Sequence, residues 1–331
     1  MGKLLLSLLA ALACPLAAHA QSFDNKDWQV ACDNTRTCRV VGYQRDGDAA
    51  WISVLLTREA GSRAGVQAEL GVGGNPDAPP APASVKLAIA GKAAGTVTLD
   101  RESHHAVLAG GVTEALLKAL VANAPVTGTY GKSTARLSGE GAREALAKMD
   151  EFQGRTGTST AIVQRGSTGA DTVMLRVSPP TVRAVRIGAP RPGDDDLAAR
   201  VVTMIPHNDA CPMLDNSQSR QGPGEAPRLW HLDANRVLVT AGCNAGMDDA
   251  SSGYWIANVR PPFAPNAVTL AGTAFDGVST LTSAQRSHCS VDQTWTWNGF
   301  QFELTASSGS GLCRGGDWNL PLVVTEVIPA R

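Results

Sequence analysis

Cysteine is the residue type in this chain whose spacing points most directly to chemistry. The sequence contains seven cysteines: Cys14, Cys32, Cys38, Cys211, Cys243, Cys289 and Cys313. Cys14 lies in an N-terminal segment that resembles a cleavable export signal, so six cysteines remain, and an even number in an exported chain predicts a complete set of disulfides. We expect Cys32 to pair with Cys38. Among the three possible pairings of the last four, we favour Cys211 with Cys243 and Cys289 with Cys313.

The first 20 residues have the pattern of a secretory signal peptide. Lys3 precedes an apolar run from Leu4 to Ala13, and Ala18-His19-Ala20 has small residues at the positions that signal peptidase recognises. This predicts a periplasmic protein that begins at Gln21. The alternative is a lipoprotein anchored at Cys14. Ala11 and Pro15 do not favour it, and no later apolar run approaches the roughly 18 residues that a membrane span needs.

Polar residues cluster where the second predicted helix ends. This group comprises Glu144, Lys148, Asp150, Gln153 and Arg155. Asp150, Gln153 and Arg155 are the candidate binding residues, because a carboxylate and a guanidinium so close together could frame a small anionic or carbonyl ligand. The alternative, which we favour, is an exposed helix face with ordinary ion pairs that contribute less than about 1 kcal/mol each.

No catalytic, metal or cofactor motif is recognisable in the sequence. The Gly-x-Ser-x-Gly and His-Glu-x-x-His patterns are absent, and reduced cysteine ligands for zinc do not persist in an oxidising compartment. We therefore expect no enzyme activity and no cofactor. Because triads assemble in space and not in sequence, an envelope hydrolase with a site near His207, Asp209 and His231 stays as the alternative.

The charge balance argues against nucleic acid as a partner. The chain has 29 basic and 30 acidic side chains, a net charge of −1. Proteins that bind nucleic acid or anionic lipid usually carry a basic footprint. We therefore expect the partner to be an envelope protein, a peptide or a glycan.

The elements that position these residues are mainly β-strands. Short apolar runs separated by Gly, Ser, Thr and Asn are typical of strands, so we predict a mainly β (α+β) protein with two antiparallel β-rich domains, a few covering helices and disulfide staples. The domains are 21–177 and 197–331, joined by a Pro- and Asp-rich segment, 178–196. Asp194, Asp195 and Asp196 indicate either a solvated linker or the first turn of a helix at Leu197–Met204.

In the N-terminal half the pattern predicts strands, a disulfide hairpin and two helices. The hairpin joins Trp28–Cys32 to Cys38–Tyr43, and the helices run over Thr113–Val121 and about Glu140–Phe152. We expect the helices to cover one face of a sheet.

In the C-terminal half the clearest prediction is a hairpin around Asn298-Gly299. Asn-Gly between alternating strands favours a two-residue turn, which would place Trp297 opposite Phe300 and Trp295 opposite Phe302 on one face. We predict that this aromatic face is core, extended by Trp255 and Trp318, because burying such rings contributes far more than surface contact does.

Three ordered motifs in the chain resemble an exported bacterial family. These motifs are Trp28-Gln29-Val30-Ala31-Cys32-Asp33-Asn34 with Thr37-Cys38-Arg39, Lys148 to Thr158, and Trp295 to Phe302 with Cys313-Arg314-Gly315 and Trp318. The family is the Gram-negative domain of unknown function 1176. The N-terminal half is also similar, more weakly, to invasion-associated locus B-like proteins. The resemblance implies a periplasmic protein and supplies no catalytic residues. The function we expect is non-catalytic binding or envelope association.

Overall fold

The computed structural model describes residues 20–72, 84–206, 209–214, 226–244, 250–286, 290–314 and 318–330. Its N-terminal half contains the two predicted helices, and its strands form two antiparallel sheets. The strands are β1 (Gln21–Asn25), β2 (Trp28–Cys32), β3 (Cys38–Tyr43), β4 (Ile52–Arg58), β5 (Val66–Val72), β6 (Ser84–Ile89), β7 (Lys92–Thr98), β8 (His105–Val107), β9 (Val126–Tyr130) and β10 (Ser133–Leu137). The helices are α1 (Gly110–Val121) and α2 (Ala142–Phe152).

The larger sheet has the order β1-β2-β3-β4-β5-β8 and the smaller one the order β10-β9-β6-β7. One face of the larger sheet, the smaller sheet and both helices enclose the main hydrophobic core. Helix α2 packs on the sheet through an apolar stripe, because Ala142, Leu146 and Met149 are buried in this core. Helix α1 begins three residues before the predicted Thr113, whose hydroxyl donates to the carbonyl of Leu108.

The C-terminal half is one long antiparallel sheet whose strands are neighbours in sequence order. Its elements are β11 (Thr181–Arg183), α3 (Asp194–Val202), β12 (Arg228–His231), β13 (Arg236–Asn244), β14 (Ser251–Asn258), β15 (Asn266–Phe275), β16 (Thr280–Arg286), β17 (Ser290–Trp297), β18 (Phe302–Gly309), β19 (Leu320–Val324) and β20 (Glu326–Ile328). Strands β12 to β19 form the sheet in that order, and β11 pairs with β20 in parallel. Among the described residues, no helix combines the length and the apolar character needed to span a bilayer.

This eight-stranded sheet is rolled. In a flat sheet, β12 and β15 would lie about 14 Å apart, three spacings of about 4.8 Å. The ring centroids of Trp230 on β12 and Phe275 on β15 are only 4.9 Å apart. Arg236 on β13 likewise lies over the Trp297 ring of β17, at 5.0 Å. These four side chains meet on the concave face.

The segment 178–196 closes the gap between the first strand of the roll and the β17–β18 hairpin. The backbone N–H of Val185 donates to the carbonyl of Trp297, and Gly188 exchanges two hydrogen bonds with His231. Val182 and Ile187 are buried. The segment is therefore attached to the sheet at these positions, while most of its residues are exposed, and its role as a linker between domains stays a prediction. The predicted first turn of a helix is confirmed, because Asp194, Asp195 and Asp196 form the first turn of α3.

The predicted register of the Asn298-Gly299 hairpin is wrong. The loop has four residues, so Trp297 lies opposite Phe302 and Trp295 opposite Leu304. The Asn298 side chain accepts hydrogen bonds from the backbone N–H groups of Phe300 and Gln301, and this Asx arrangement replaces the two-residue turn. Gly299 alone in this loop has positive φ, whereas a type I′ turn needs it at both central positions. Phe300 consequently leaves the aromatic face and is 81% exposed.

Two disulfides are formed as predicted. Cys32 pairs with Cys38 across β2 and β3, and Cys211 pairs with Cys243. Cys313 is also disulfide-bonded. Cys289 lies outside the described residues, so its pairing with Cys313 stays a prediction. The signal peptide, residues 1–20, also stays a prediction, because only Ala20 of this segment is described.

The second face of the N-terminal sheet is covered by the C-terminal end of the chain. Trp318 and Leu320 pack against Val41, Tyr43 and Leu55 in one buried cluster. The prediction that Trp318 extends the C-terminal aromatic face is wrong, and Trp255 also lies elsewhere, beside the Cys211–Cys243 disulfide. Both halves of the chain contribute residues to this cluster. The division into domains 21–177 and 197–331 stays a prediction.

Trp318 is the centre of this contact. Its indole N–H donates to Ser53 Oγ at 2.9 Å, and its ring stacks on His105 with centroids 3.9 Å apart. A Cβ at Gly71 would lie 2.9 Å from the Trp318 ring, so only glycine lets the ring approach the sheet this closely.

We expect Trp318→Ala to lower the free energy of unfolding by about 3–5 kcal/mol, because it removes a large buried ring and uncovers the sheet. Urea unfolding followed by circular dichroism measures this. Phe300→Ala is the matched control: its ring is exposed, so the change should stay within about 0.5 kcal/mol. Equal effects of the two substitutions would contradict the assigned contact.

Tyr43 makes the stability depend on pH in alkaline solution. Burial raises the pKa of its phenol above the ordinary value of 10.0. The folded state then keeps a proton that the unfolded state releases above that pH, so stability is lost as the pH rises further. In Tyr43→Phe the decline of the urea midpoint above about pH 10 should be shallower. Tyr130→Phe, at a less buried phenol, should change the slope less, and parallel curves for wild type and Tyr43→Phe would exclude this role.

Candidate functional site

The three candidate binding residues lie together, and the structure adds a fourth residue to them. Asp150 Oδ1 accepts a hydrogen bond from the Arg58 guanidinium at 2.7 Å, with both side chains only 2% exposed. Gln153 Oε1 accepts from Arg58 at 2.7 Å and from Arg155 at 3.1 Å. We call these four residues the Arg58 network.

The remaining polar atoms of the network bind the backbone. Asp150 Oδ2 accepts from the N–H groups of Ile162 and Val163 at 2.7 and 3.0 Å. The amide of Gln153 donates to the carbonyls of Arg36 and Arg58, and Arg155 donates to the carbonyl of Gly61. The network therefore joins α2, the β2–β3 turn, the end of β4 and the loop after α2.

The network contains two guanidinium groups and one carboxylate. Burial lowers the pKa of Arg155 to about 10, and repulsion from Arg58 acts in the same direction. Burial also lowers the pKa of Arg58, and the attraction of Asp150 opposes this shift. The Asp150 carboxylate is thus the counter-charge that makes both buried cations tolerable.

These positions correct one prediction. The interpretation as an exposed helix face is wrong for Asp150, Gln153 and Arg155, which are buried. It holds for Glu144, which is exposed, and for Lys148, which forms a surface ion pair with Glu151 at 2.8 Å. Since the network's bonds go to the chain itself, we assign it a structural role, while ligand binding by these residues stays untested.

A polar cleft of about 390 Å³ lies at the same end of the larger sheet. Arg58 of the network lies in sequence between Thr57 and Glu59, two residues that line this cleft. We call this cleft the Thr57 cleft. Its lining comes from both halves of the chain: Asp33, Thr35, Thr37, Arg39, Thr57, Glu59, Ala64, Gly65, Gln67, Arg176, Pro179 and Val324.

The floor of the Thr57 cleft is rigid because its turn is internally bonded. Asp33 Oδ1 accepts from the backbone N–H groups of Thr35 and Thr37, and Asp33 Oδ2 pairs with Arg39 at 3.0 Å. The Cys32–Cys38 disulfide closes the two strands immediately behind this turn. The amide of Gln153 holds Arg36 in the same turn.

The rim carries free polar groups. Within the part of the chain that the structure describes, the side chains of Thr57, Glu59, Gln67 and Arg176 make no hydrogen bond or ion pair. Glu59, Gln67 and Arg176 are exposed. The rim thus presents one cation, one anion, an amide and a hydroxyl to a ligand.

The alternative hydrolase site, placed near His207, Asp209 and His231, stays a prediction. His231 Nε2 lies 2.9 Å from Asp194 Oδ2, in a buried pair at the start of α3. Among the described residues the His231 ring has no serine or cysteine partner, and no group of three metal-ligating side chains occurs. His207 lies outside the described residues. The sequence analysis did not predict the His231–Asp194 pair, because it treated Asp194 only as one of three consecutive aspartates.

We expect Asp150→Asn to lower the free energy of unfolding by about 3–5 kcal/mol, because it leaves two buried guanidinium groups without a counter-charge. Urea unfolding of the purified protein measures this. Glu151→Gln, one residue further along α2, removes only a surface pair and should cost less than about 1 kcal/mol. If both variants unfold like the wild type, the network is not a structural element.

Comparison with known protein families identifies a match over almost the whole chain. Residues 22–325 match the family described as protein of unknown function, DUF1176. No curated protein and no solved structure matches the chain. The weaker similarity to invasion-associated locus B-like proteins stays a prediction. Because the match covers almost the whole chain and includes the cysteine hairpin, α2 and the β17–β18 hairpin, the chain belongs to the DUF1176 family.

Proposed function

We propose that this protein is exported to the periplasm and binds a peptide segment in the Thr57 cleft without changing it chemically. The sequence pattern of residues 1–20 and the disulfides support export, because such bonds persist in oxidising compartments. The observation that carries the binding role is the cleft, whose rim presents free groups of both charges on a floor held rigid by the Asp33 turn.

The chemistry of the rim favours a peptide over the other envelope ligands. Glu59 and Arg176 can each form a charge-assisted hydrogen bond with a side chain or chain terminus of opposite sign. Thr57 and Gln67 supply the neutral donors and acceptors that a peptide backbone needs. Leu175, the residue before Arg176, is 72% exposed and offers apolar contact beside the charges. A peptide carries all three kinds of group within a few residues.

The cleft is also suited to binding with little rearrangement. The Arg58 network and the Cys32–Cys38 disulfide fix the strands of the cleft from the opposite face of the sheet, so a ligand meets walls that are already ordered. Preorganised sites lose less conformational entropy when they bind. Binding without catalysis is further supported by the rim, where no nucleophile–histidine pair occurs among the lining residues.

Equilibrium dialysis against a pool of random hexapeptides, read by mass spectrometry, tests the proposal. The wild-type protein should enrich peptides that contain both an acidic and a basic residue. Glu59→Gln and Arg176→Gln should each lower this enrichment about tenfold, the effect expected for one charged hydrogen bond. Glu114→Gln, at an exposed carboxylate on α1, is the matched control and should bind like the wild type.

Two outcomes overturn the proposal. Equal enrichment by the wild type and both cleft variants would show that the cleft does not bind the peptides. Shortened peptides in the wild-type compartment, absent from a protein-free control, would instead favour the envelope hydrolase. Circular dichroism and thermal melts establish that the variants are folded.

A further inference from the structure

The concave face of the rolled C-terminal sheet changes character along strands β16, β17 and β18. Large side chains, including Trp230, Phe275, Leu281 and Trp297, pack together on one part of it. Among the described residues of these three strands, the inward positions next to Leu281, Trp295 and Leu304 carry small or polar side chains. Small inward side chains leave room inside a rolled sheet, as they do in barrels that hold a small ligand.

Three polar residues lie side by side where the large side chains end. Ser283 on β16 is the register partner of Gln293 on β17, which is the partner of Ser307 on β18. One step closer to these large side chains, Leu281, Trp295 and Leu304 are partners in the same way. Because side chains alternate along a strand, Gln293 and Trp295 point to the same face. We call Ser283, Gln293, Trp295 and Ser307 the cup.

The polar groups of the cup have no partner in the described part of the chain. The hydroxyls of Ser283 and Ser307 and the amide of Gln293 make no hydrogen bond to protein there. Neighbouring polar side chains do find partners: Thr240 donates to the carbonyl of Gly253, and Thr296 bonds to Thr305. Ser283 and Ser307 are largely buried as residues, yet their hydroxyl oxygens and the amide of the partly buried Gln293 stay accessible, so these polar groups are open to a partner from outside the chain.

Trp295 supplies an aromatic surface beside this polar row. Trp297 is fully buried, whereas Trp295 is only partly buried at the edge of the same cluster. The prediction that Trp295 is core therefore holds in part. Gln293 is the next residue on the same face of β17, and neither residue is charged.

We propose that the cup binds a neutral carbohydrate. A sugar ring has an apolar face that packs on an indole and hydroxyl groups that both donate and accept hydrogen bonds. The cup offers these complements: Trp295 for the ring, and two hydroxyls and an amide at the roughly 4.8 Å spacing of neighbouring strands. A lipid would leave the three polar groups unpaired, and a charged ligand would find no counter-charge among the four residues. This site is separate from the Thr57 cleft.

Isothermal titration and tryptophan fluorescence with maltose, cellobiose and chitobiose test the proposal. At least one disaccharide should bind the wild-type protein and change its fluorescence. Gln293→Ala should weaken that binding about fivefold or more, the effect of losing one hydrogen bond. Asp292→Ala is the matched control, because Asp292 is the preceding residue, is exposed and points to the opposite face. Trp295→Phe keeps an aromatic ring for packing and should lose the fluorescence change.

Three results would refute the carbohydrate site. They are no binding of any of the three disaccharides, equal affinity in Gln293→Ala and Asp292→Ala, or an unchanged fluorescence response in Trp295→Phe. Glu59→Gln should bind the sugar like the wild type, so failure of the peptide proposal and failure of this one are separate outcomes. Unfolding curves of each variant establish that loss of binding is not loss of fold.

Discussion

The packing of Trp318 and Leu320 on the N-terminal sheet is the contact on which the rest of this structure depends. The central strands β3 and β4 are apolar on both faces, since Val40 and Leu56 point into the main core while Val41 and Leu55 point away from it. A sheet of this kind is stable only as the middle layer of three. Helices and a second sheet supply one outer layer, and the end of the chain supplies the other.

The C-terminal segment can act as that layer because its backbone and its side chains have different partners. Through hydrogen bonds β19 is the last strand of the rolled sheet, paired with β18. Through its side chains it belongs to the core of the N-terminal half. The segment also brings Val324 to the Thr57 cleft, where Asn34 exchanges two hydrogen bonds with the Val324 backbone. The cleft is therefore complete only when both halves are assembled, which explains why its lining residues are scattered over almost the whole sequence.

Sequence reasoning succeeded where the determining interactions are local. The Cys32–Cys38 hairpin and helices α1 and α2 depend on residues close together in the chain. It failed for Arg58, which looks like an ordinary polar residue at the end of a strand and meets Asp150 across 92 residues. It also misplaced Trp318, because proximity to the aromatic hairpin in sequence was taken for proximity in space. The hairpin register failed for a different reason: the side chain of Asn298 bonds to its own loop and outcompetes the two-residue turn.

The distance in sequence between Trp318 and the strands that it covers has a consequence for biosynthesis: Trp318 lies 265 residues after Ser53, its hydrogen-bond partner. A ribosome releases the N-terminal half first, and domains generally begin to fold as they emerge. Here Val41, Tyr43 and Leu55 stay without their covering layer until Trp318 and Leu320 have been made. The nascent chain thus carries one apolar face of the sheet uncovered during synthesis of the segment between them, and the N-terminal half reaches its native packing only afterwards.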